Sequence, residues 1–381
     1  PYNRYVDVLP SFQTVDEKEW SVGSADSVRR HYKAGSLRGP SFSQEPEAYL
    51  ILSGEALYRM DYSAMLKTHN DSGADITIAT ARRRLGDLDA SNVGVCAVAP
   101  NADGNFAGGD VYRFVEQPDL EALKEMAVCD EMDTKLADCD VHVNMGVYIF
   151  SKKAMDELLG VMEMCTERLD FGKDIIPMAI RAGHATVAHQ HEGYWQPIRN
   201  LREWYDANLA LCPKEGSSEE EGPSSSLGKN FSATSMIDHE FPLHTVPRCL
   251  PPARFRGDCR CEQSIVSEGV VVGDRAVVTK SVVGPCVVLG EDVQVNETIF
   301  IGHQETGYLH GDGEADVGAG SVLRNCVVHS DVVIGPNCVL TNEQGVKDHN
   351  GVDVQSGLGY MIQDGIIVFM PGTTIEAGTV I

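Results

Sequence analysis

No apolar run in this 381-residue chain approaches the roughly 20 residues needed to span a bilayer. The first residues, Pro1-Tyr2-Asn3-Arg4, show no signal-peptide pattern, and a start without Met is what a processed or truncated chain would show. Basic residues are scarce. The 31 Lys and Arg stand against 56 Asp and Glu, a formal charge of -25. Such a balance argues against a nucleic-acid surface, although an anionic small ligand needs only a few local cations. The eleven cysteines contain no C-x-x-C pair, and Cys259 and Cys261 are the closest two. Reduced, mostly buried thiols in a cytosolic or stromal compartment are therefore expected. His189 and His191 lie two apart without a third ligand at metal-site spacing, so a strand face is expected there rather than a metal. Also lacking is an opening strand, Gly-rich loop and helix of the kind that cradles phosphates, since nothing before Tyr5 can supply it.

What is there, 43% hydrophobic content over this length, is enough to bury the core of a soluble globular protein of two domains or one large one. Residues 5 to 14 read as a strand running into a loop. The stretch Trp20 to Arg29 places small residues and Asp26 at a helix start, either an ordinary cap or an anion site. Strands are expected at 49–52, 74–79, 92–98, 111–115 and 141–150, and helices at 63–69, 119–126, 153–164 and 171–181. This alternation predicts an α/β domain with a parallel-leaning sheet over residues 1–212. Residues 213–250 begin with a Ser-, Glu-, Gly- and Pro-rich stretch and read as an insertion and linker.

Residues 251–381 carry the strongest periodicity. Ile265, Val271, Val277, Val283, Leu289, Val295 and Ile301 recur at every sixth position, and Val322, Val328, Ile334 and Leu340 resume the pattern. Short strands each pointing one side chain inward, with glycines at the corners, predict a parallel β-helix. The Gly- and acid-rich stretch 303–320 reads as a loop extruded from it. Such a domain is more often an oligomerisation scaffold than a catalyst.

Chemistry is best sought at Leu52-Ser53-Gly54-Glu55-Ala56-Leu57-Tyr58-Arg59-Met60-Asp61-Tyr62, where a buried strand ends in a polar turn bearing a carboxylate. In open α/β sheets that end faces the ligand. The block resembles L-S-G-D-H-L-Y-R-M-D-Y of the ADP-glucose pyrophosphorylases. Further blocks follow in that family's order: Phe114-Val115-Glu116-Gln117-Pro118, Val143 to Tyr148, Asp170 to Pro177, Tyr205 to Leu209, and Arg248 to Pro252 before the hexads. The resemblance spans nearly the whole chain. It implies a Rossmann-like nucleotidyltransferase domain, N-terminally incomplete, followed by a left-handed β-helix.

By the same resemblance, glucose 1-phosphate would meet Gly94, Glu116, Gln117, Asn144 and Gly146, and nucleotide would meet Ser21, Gly23, Ser24 and Asp26. The glycines have a second reading, close backbone packing alone. The family's catalytic Mg²⁺ would be held at Glu55, where the family has Asp, and at Pro197, where its W-E-D motif has a carboxylate. The family's sugar-phosphate Lys is Gln117, which keeps a hydrogen-bonding head and loses the charge. Its effector-binding lysines align with Gln363 and Pro371, so an anionic activator such as 3-phosphoglycerate would lose both cations. These departures predict a catalytically impaired, large-type or modulatory subunit in a hetero-oligomer, a tetramer with a catalytic partner, in the plastid stroma. Two rival readings are a fragment of an active enzyme and a non-enzymatic scaffold that keeps the fold.

Overall fold

The computed structural model describes residues 8–11, 13, 19–35, 37, 46–88, 92–100, 108–128, 135–161, 169–213, 248–303, 315–353 and 356–381. Half of the stretch expected as strand and loop at 5–14, and most of the insertion at 213–250 and of the interior of the 303–320 loop, lie outside these residues. The chain divides into two compact units, one reaching Trp195 and the other starting at Gln196.

The first unit holds strands β1 (Ala48–Leu52), β2 (Ala56–Tyr58), β3 (Ile76–Arg84), β4 (Gly94–Val98), β5 (Val111–Glu116), β6 (Asp140–Ser151) and β7 (Thr186–His191). Its helices are α1 (Ser24–Lys33), α2 (Tyr62–Ser72), α3 (Leu120–Met126), α4 (Lys152–Val161) and α5 (Ile176–Ala182). The main sheet runs β5-β4-β6-β3-β7, with β1 also on β6. Alternation of strand and helix predicted parallel pairing, but β6 is antiparallel to β1, β3 and β4, and among the described strands of this sheet only β3 and β7 run parallel. The reason is the central place of β6. Its long apolar run is buried along almost its whole length, and its neighbours on both edges enter from the opposite end.

β6 does not pair uniformly. Ile78 faces Tyr148 and Thr80 faces Asn144, so two residues of β3 span four of β6. The extra residues form a bulge at Gly146, whose φ of 73° is left-handed. Before the bulge β6 pairs with β4, through Val143 and His142. After it, Val147 to Ser151 pair with β1. Asp61 ends the polar turn after β2 and caps α2, accepting from the Ser63 amide at 2.9 Å. Gly73 closes that helix at a φ of 63°. Part of the Leu57–Tyr62 block is thus accounted for by local structure.

Cys139 is disulfide-bonded, and its partner lies outside the described residues. The expectation of wholly reduced thiols is therefore corrected for this position. Reciprocal backbone hydrogen bonds between Val128 and Asp140, at 2.8 and 2.9 Å, hold the chain beside Cys139 against the preceding segment. Among the described residues, the eight other cysteines are free.

The second unit is a parallel β-helix joined by helix α6 (Leu201–Ala210). The sequence reading assigned no element to these residues, which fall within its 1–212 domain. Trp204 and Tyr205 pack with Ile299, Val327 and Ile366 of the coils, and the Tyr205 hydroxyl donates to the Glu297 carbonyl. The coil length differs from the strict six-residue period. Arg260 pairs with Val277 and Val277 with Gln294, 17 positions apart each time. Three columns fill the interior: Val278, Val295, Leu323 and Leu340; Val283, Phe300, Val328 and Phe369; and Val272, Leu289, Val317, Ile334 and Ile375. Because the coil is one residue short of three hexads, a fixed period of six slides out of register. Val283, Leu289 and Val295 point inward as expected, whereas Val277 is 37% exposed and its neighbour Val278 takes the interior place.

Two insertions interrupt the coils. Gln294 pairs with Val322, 28 positions on, which is one coil and 11 further residues. Cys326 pairs with Ile367, 41 positions on, one coil and 24 further residues. The second insertion ends in a strand, Tyr360–Gln363, that folds back as an antiparallel hairpin on the coil strand Ile366–Phe369, turned by Asp364 and Gly365, both left-handed.

Candidate functional site

Two strand ends and one turn converge in the first unit. Gly94 and Glu116 are cross-strand partners on β4 and β5. A Cβ on Gly94 would lie 2.4 Å from Glu116 Oε2 and 2.8 Å from Phe114, and one on Gly172 would lie 2.6 Å from the same carboxylate oxygen. The Glu116 carboxylate is thus wedged between two glycines. Its neighbour Gln117, at the family's lysine position, has a left-handed backbone, φ 53°, held by its amide bond to the Val93 carbonyl at 2.9 Å. A non-glycine residue in that region is strained and is kept there by its surroundings.

Asn144 sits on β6 just before the bulge. Its Oδ1 accepts from the Gly146 amide at 3.0 Å, and its Nδ2 donates to the Tyr148 hydroxyl at 2.7 Å. Tyr148 is buried against Phe171, with ring centroids 5.8 Å apart, and burial pushes its hydroxyl pKa up. Burial also pushes up the Cys96 thiol, with the Glu116 charge adding to the effect. Gly146 meets the Leu52–Glu55 turn: the Ser53 amide donates to its carbonyl at 2.9 Å, and a Cβ there would come within 2.8 Å of Ser53 Cβ. Glu55 follows, exposed, with its amide donating to Ser53 Oγ at 3.2 Å.

The residues assigned to nucleotide make their contacts with other residues of the chain. The Ala25 and Asp26 amides donate to the Leu169 carbonyl at 3.2 and 3.3 Å, and Gly23 (φ 96°) leaves no room for a Cβ, which would lie 2.2 Å from that same oxygen. Ser24 Oγ donates to Asp170 Oδ2 at 2.8 Å, and Ser21 shares a hydrogen bond with Ser11 at 2.7 Å. Asp26 accepts from the Val22 amide at 3.2 Å and pairs with Arg29 and Arg30 at 2.6 and 3.1 Å. Burial would raise its pKa, but hydrogen bonds from Arg29 and the Val22 amide outweigh this and hold the carboxyl below the usual range. Gly23 stands at the N-cap of α1 and no side chain caps the helix; its first amides are taken by the Leu169 carbonyl instead. A carboxylate with a depressed folded pKa stabilises above its unfolded value, and the effect is lost as pH falls through the folded one. Asp26→Asn should cost about 1.5 kcal/mol at neutral pH, with the difference from the parent closing as the solution is acidified, in urea titrations at a series of pH values.

The sequence reading missed Asp170 and Gly172 as site residues, although both lie in a block that it singled out. Asp170 Oδ1 accepts from the Gly172 and Lys173 amides at 2.9 and 3.3 Å, while Asp174 returns a bond to the Asp170 amide at 2.7 Å. This reciprocal cap shapes a π-helical turn, Phe171–Ile175, where a plain helix was expected. The signal was the pair of aspartates four apart, flanking glycine.

The other assigned positions belong to the second unit. Pro197 ends the short strand Trp195–Pro197, and Gln363 and Pro371 are exposed at and just after the hairpin. The Mg²⁺ that the resemblance implies would need two carboxylates at positions occupied by Glu55 and Pro197. Proline has no side-chain donor, so these residues do not fit a two-carboxylate magnesium site. Among the described residues no group of three or more His, Cys, Asp or Glu is placed to hold a metal ion.

Comparison with known proteins agrees with this architecture. Residues 4–214 match the family described as nucleotidyl transferase, and residues 248–380 match the GLGC left-handed parallel β-helix domain. The chain is 29% identical to the chloroplastic/amyloplastic glucose-1-phosphate adenylyltransferase large subunit 1 of Zea mays, across 99% of this chain and 68% of that protein. With a nucleotidyl transferase domain over more than half its length and a GLGC-type β-helix behind it, the chain belongs to the nucleotidyl transferase family, in its ADP-glucose pyrophosphorylase branch.

Proposed function

We propose that this chain is a large-type, modulatory subunit of a plastid ADP-glucose pyrophosphorylase in starch or glycogen synthesis, forming little or no ADP-glucose alone. The observation that carries the reading is the neutral Gln117 beside a retained Glu116. Phosphoryl transfer depends on positioning and on neutralising charge, and the amide keeps the first and gives up the second. Pro197 supports the same conclusion by removing a carboxylate. The wedge of Glu116 between Gly94 and Gly172 favours a retained pocket over loss of the site altogether. The relative from maize is itself named as a large subunit, which supports assembly with a catalytic chain in a hetero-tetramer.

The test is ADP-glucose formation from ATP and glucose 1-phosphate with Mg²⁺, by this chain alone, by a catalytic subunit alone, and by the two co-expressed. The expected result is background turnover for this chain and a changed rate or effector response for the pair. Turnover by this chain alone at the catalytic subunit's rate would overturn the proposal. Failure of the two to co-purify would favour the scaffold reading.

A further inference from the structure

The carboxyl ends of β3 and β7 bring together an arginine and two histidines that the site above does not use. The two strands run parallel, with Ala79 opposite His189 and Ala81 opposite His191. Residues two apart on a strand share a face, so Arg83, two beyond Ala81, lies on the same face as both histidines. This is the end of a sheet at which α/β proteins hold ligands.

Each group is anchored at one side and open at the other. Arg83 uses two of the guanidinium's five N–H donors, on the carbonyls of Arg82 at 3.1 Å and Trp195 at 2.8 Å. Its Cζ lies 5.6 Å from the centre of the Trp195 ring. Among the described residues it makes no carboxylate contact. His191 Nε2 meets the Tyr194 carbonyl at 3.2 Å, which requires that nitrogen to carry the proton and leaves Nδ1 as the open side. His189 Nδ1 meets Thr68 Oγ1 at 3.0 Å, leaving Nε2. A Cβ on Gly193 would lie 2.7 Å from the His191 ring, so the tight turn after β7 fixes that ring's position. A half-buried guanidinium without a counter-charge is unfavourable unless something supplies one.

We propose that Arg83, His191 and His189 form a binding site for a phosphate oxyanion, either inorganic phosphate or the phosphate of a small monoester. The tetrahedral anion accepts from the free side of the Arg83 fork and from the open histidine nitrogens. In the free protein burial lowers both histidine pKa values. His191 further lowers that of His189, and Arg83 that of His191; Asp61 opposes the shift at His189, while the Tyr194 carbonyl and Glu192 oppose it at His191. Both rings are thus neutral at neutral pH, and an anion that uses their open nitrogens must draw protons in. Affinity rises as pH falls through the histidine range. The site is separate from the Glu116 pocket and does not depend on the reading of the chain as a pyrophosphorylase subunit.

Calorimetric titration of the full chain with inorganic phosphate, at constant ionic strength and in two buffers of different ionisation enthalpy, tests this. Saturable binding with net proton uptake is expected, weakened about tenfold or more by His191→Gln and by Arg83→Gln and largely kept by Arg83→Lys. Should Arg83→Gln fail to fold, His191→Gln and Arg83→Lys still decide the matter. A parallel titration with glycerol phosphate separates the two sources, since an ester that binds more tightly identifies a phosphorylated metabolite and a weaker one identifies free phosphate. The absence of saturable binding, or binding that His191→Gln leaves unchanged and without proton uptake, would overturn the proposal.

Discussion

Leu323→Ala should destabilise the β-helix by about 2–5 kcal/mol, whereas Val277→Ala should cost no more than about 0.5 kcal/mol. Leu323 is fully buried in a column between Val295 and Leu340, and Val277 is 37% exposed. A strict six-residue reading predicts the reverse, because Val277 falls on its inward positions and Leu323 does not. The columns are stacked, so a cavity at Leu323 removes contacts with the coils on both sides. Thermal melts followed by circular dichroism, with Val322→Ala and Val278→Ala as the matched neighbours, would measure the contrast. Equal losses at 277 and 323 would refute the 17-residue coil.

Gly94→Ala should cost about 3 kcal/mol, the upper end for forcing atoms into a packed interior, and, under the proposed function, should abolish glucose 1-phosphate binding beside Glu116. The added methyl meets the Glu116 carboxylate at 2.4 Å and the Phe114 ring at 2.8 Å. Neither can retreat freely, since Gly172 already closes on the carboxylate from its other side. Gly54→Ala is the control. A Cβ there meets nothing within 4 Å, so stability and binding should stay at parent values even though Gly54 adjoins Glu55. The readouts are the melting temperature and the heat of glucose 1-phosphate binding. Parent-like behaviour of Gly94→Ala would show that the pocket is not closed around Glu116 as described.

The two domain types were legible because each leaves a local mark. β-branched residues at short regular intervals announce a solenoid, and strand-length apolar runs between amphipathic helices announce an α/β sheet. Strand direction was not legible, because it depends on which strand is central, and β6 shows that only through the partners on its two edges. The coil length was hidden for a related reason: a period of six and a coil of 17 differ by one residue per turn, and Val283, Leu289 and Val295 satisfy both. In the site, Gly94, Glu116, Asn144 and Gly146 could be singled out from motif blocks. That Ser24 spends its hydrogen bond on Asp170 could not, because Asp170 is 146 positions away. Arg83 carried no sequence signal beyond a run of three arginines, and its meaning came from the register of β3 with β7.

The spacing of the β-helix insertions has a consequence for how this domain can be altered. Each one adds its own length to one whole coil, so Leu289 still pairs with Val317 and Val339 with Val380 as if nothing intervened. Insertion length is therefore uncoupled from the interior. New polypeptide, such as an epitope, a fluorophore tag or a second domain, could be grafted between His303 and Ala315, or beyond Asn342, at lengths limited by loop closure rather than by packing. The same number of residues added within a coil strand, beside Val278, Val283 or Leu289, would push an inward side chain out of its column.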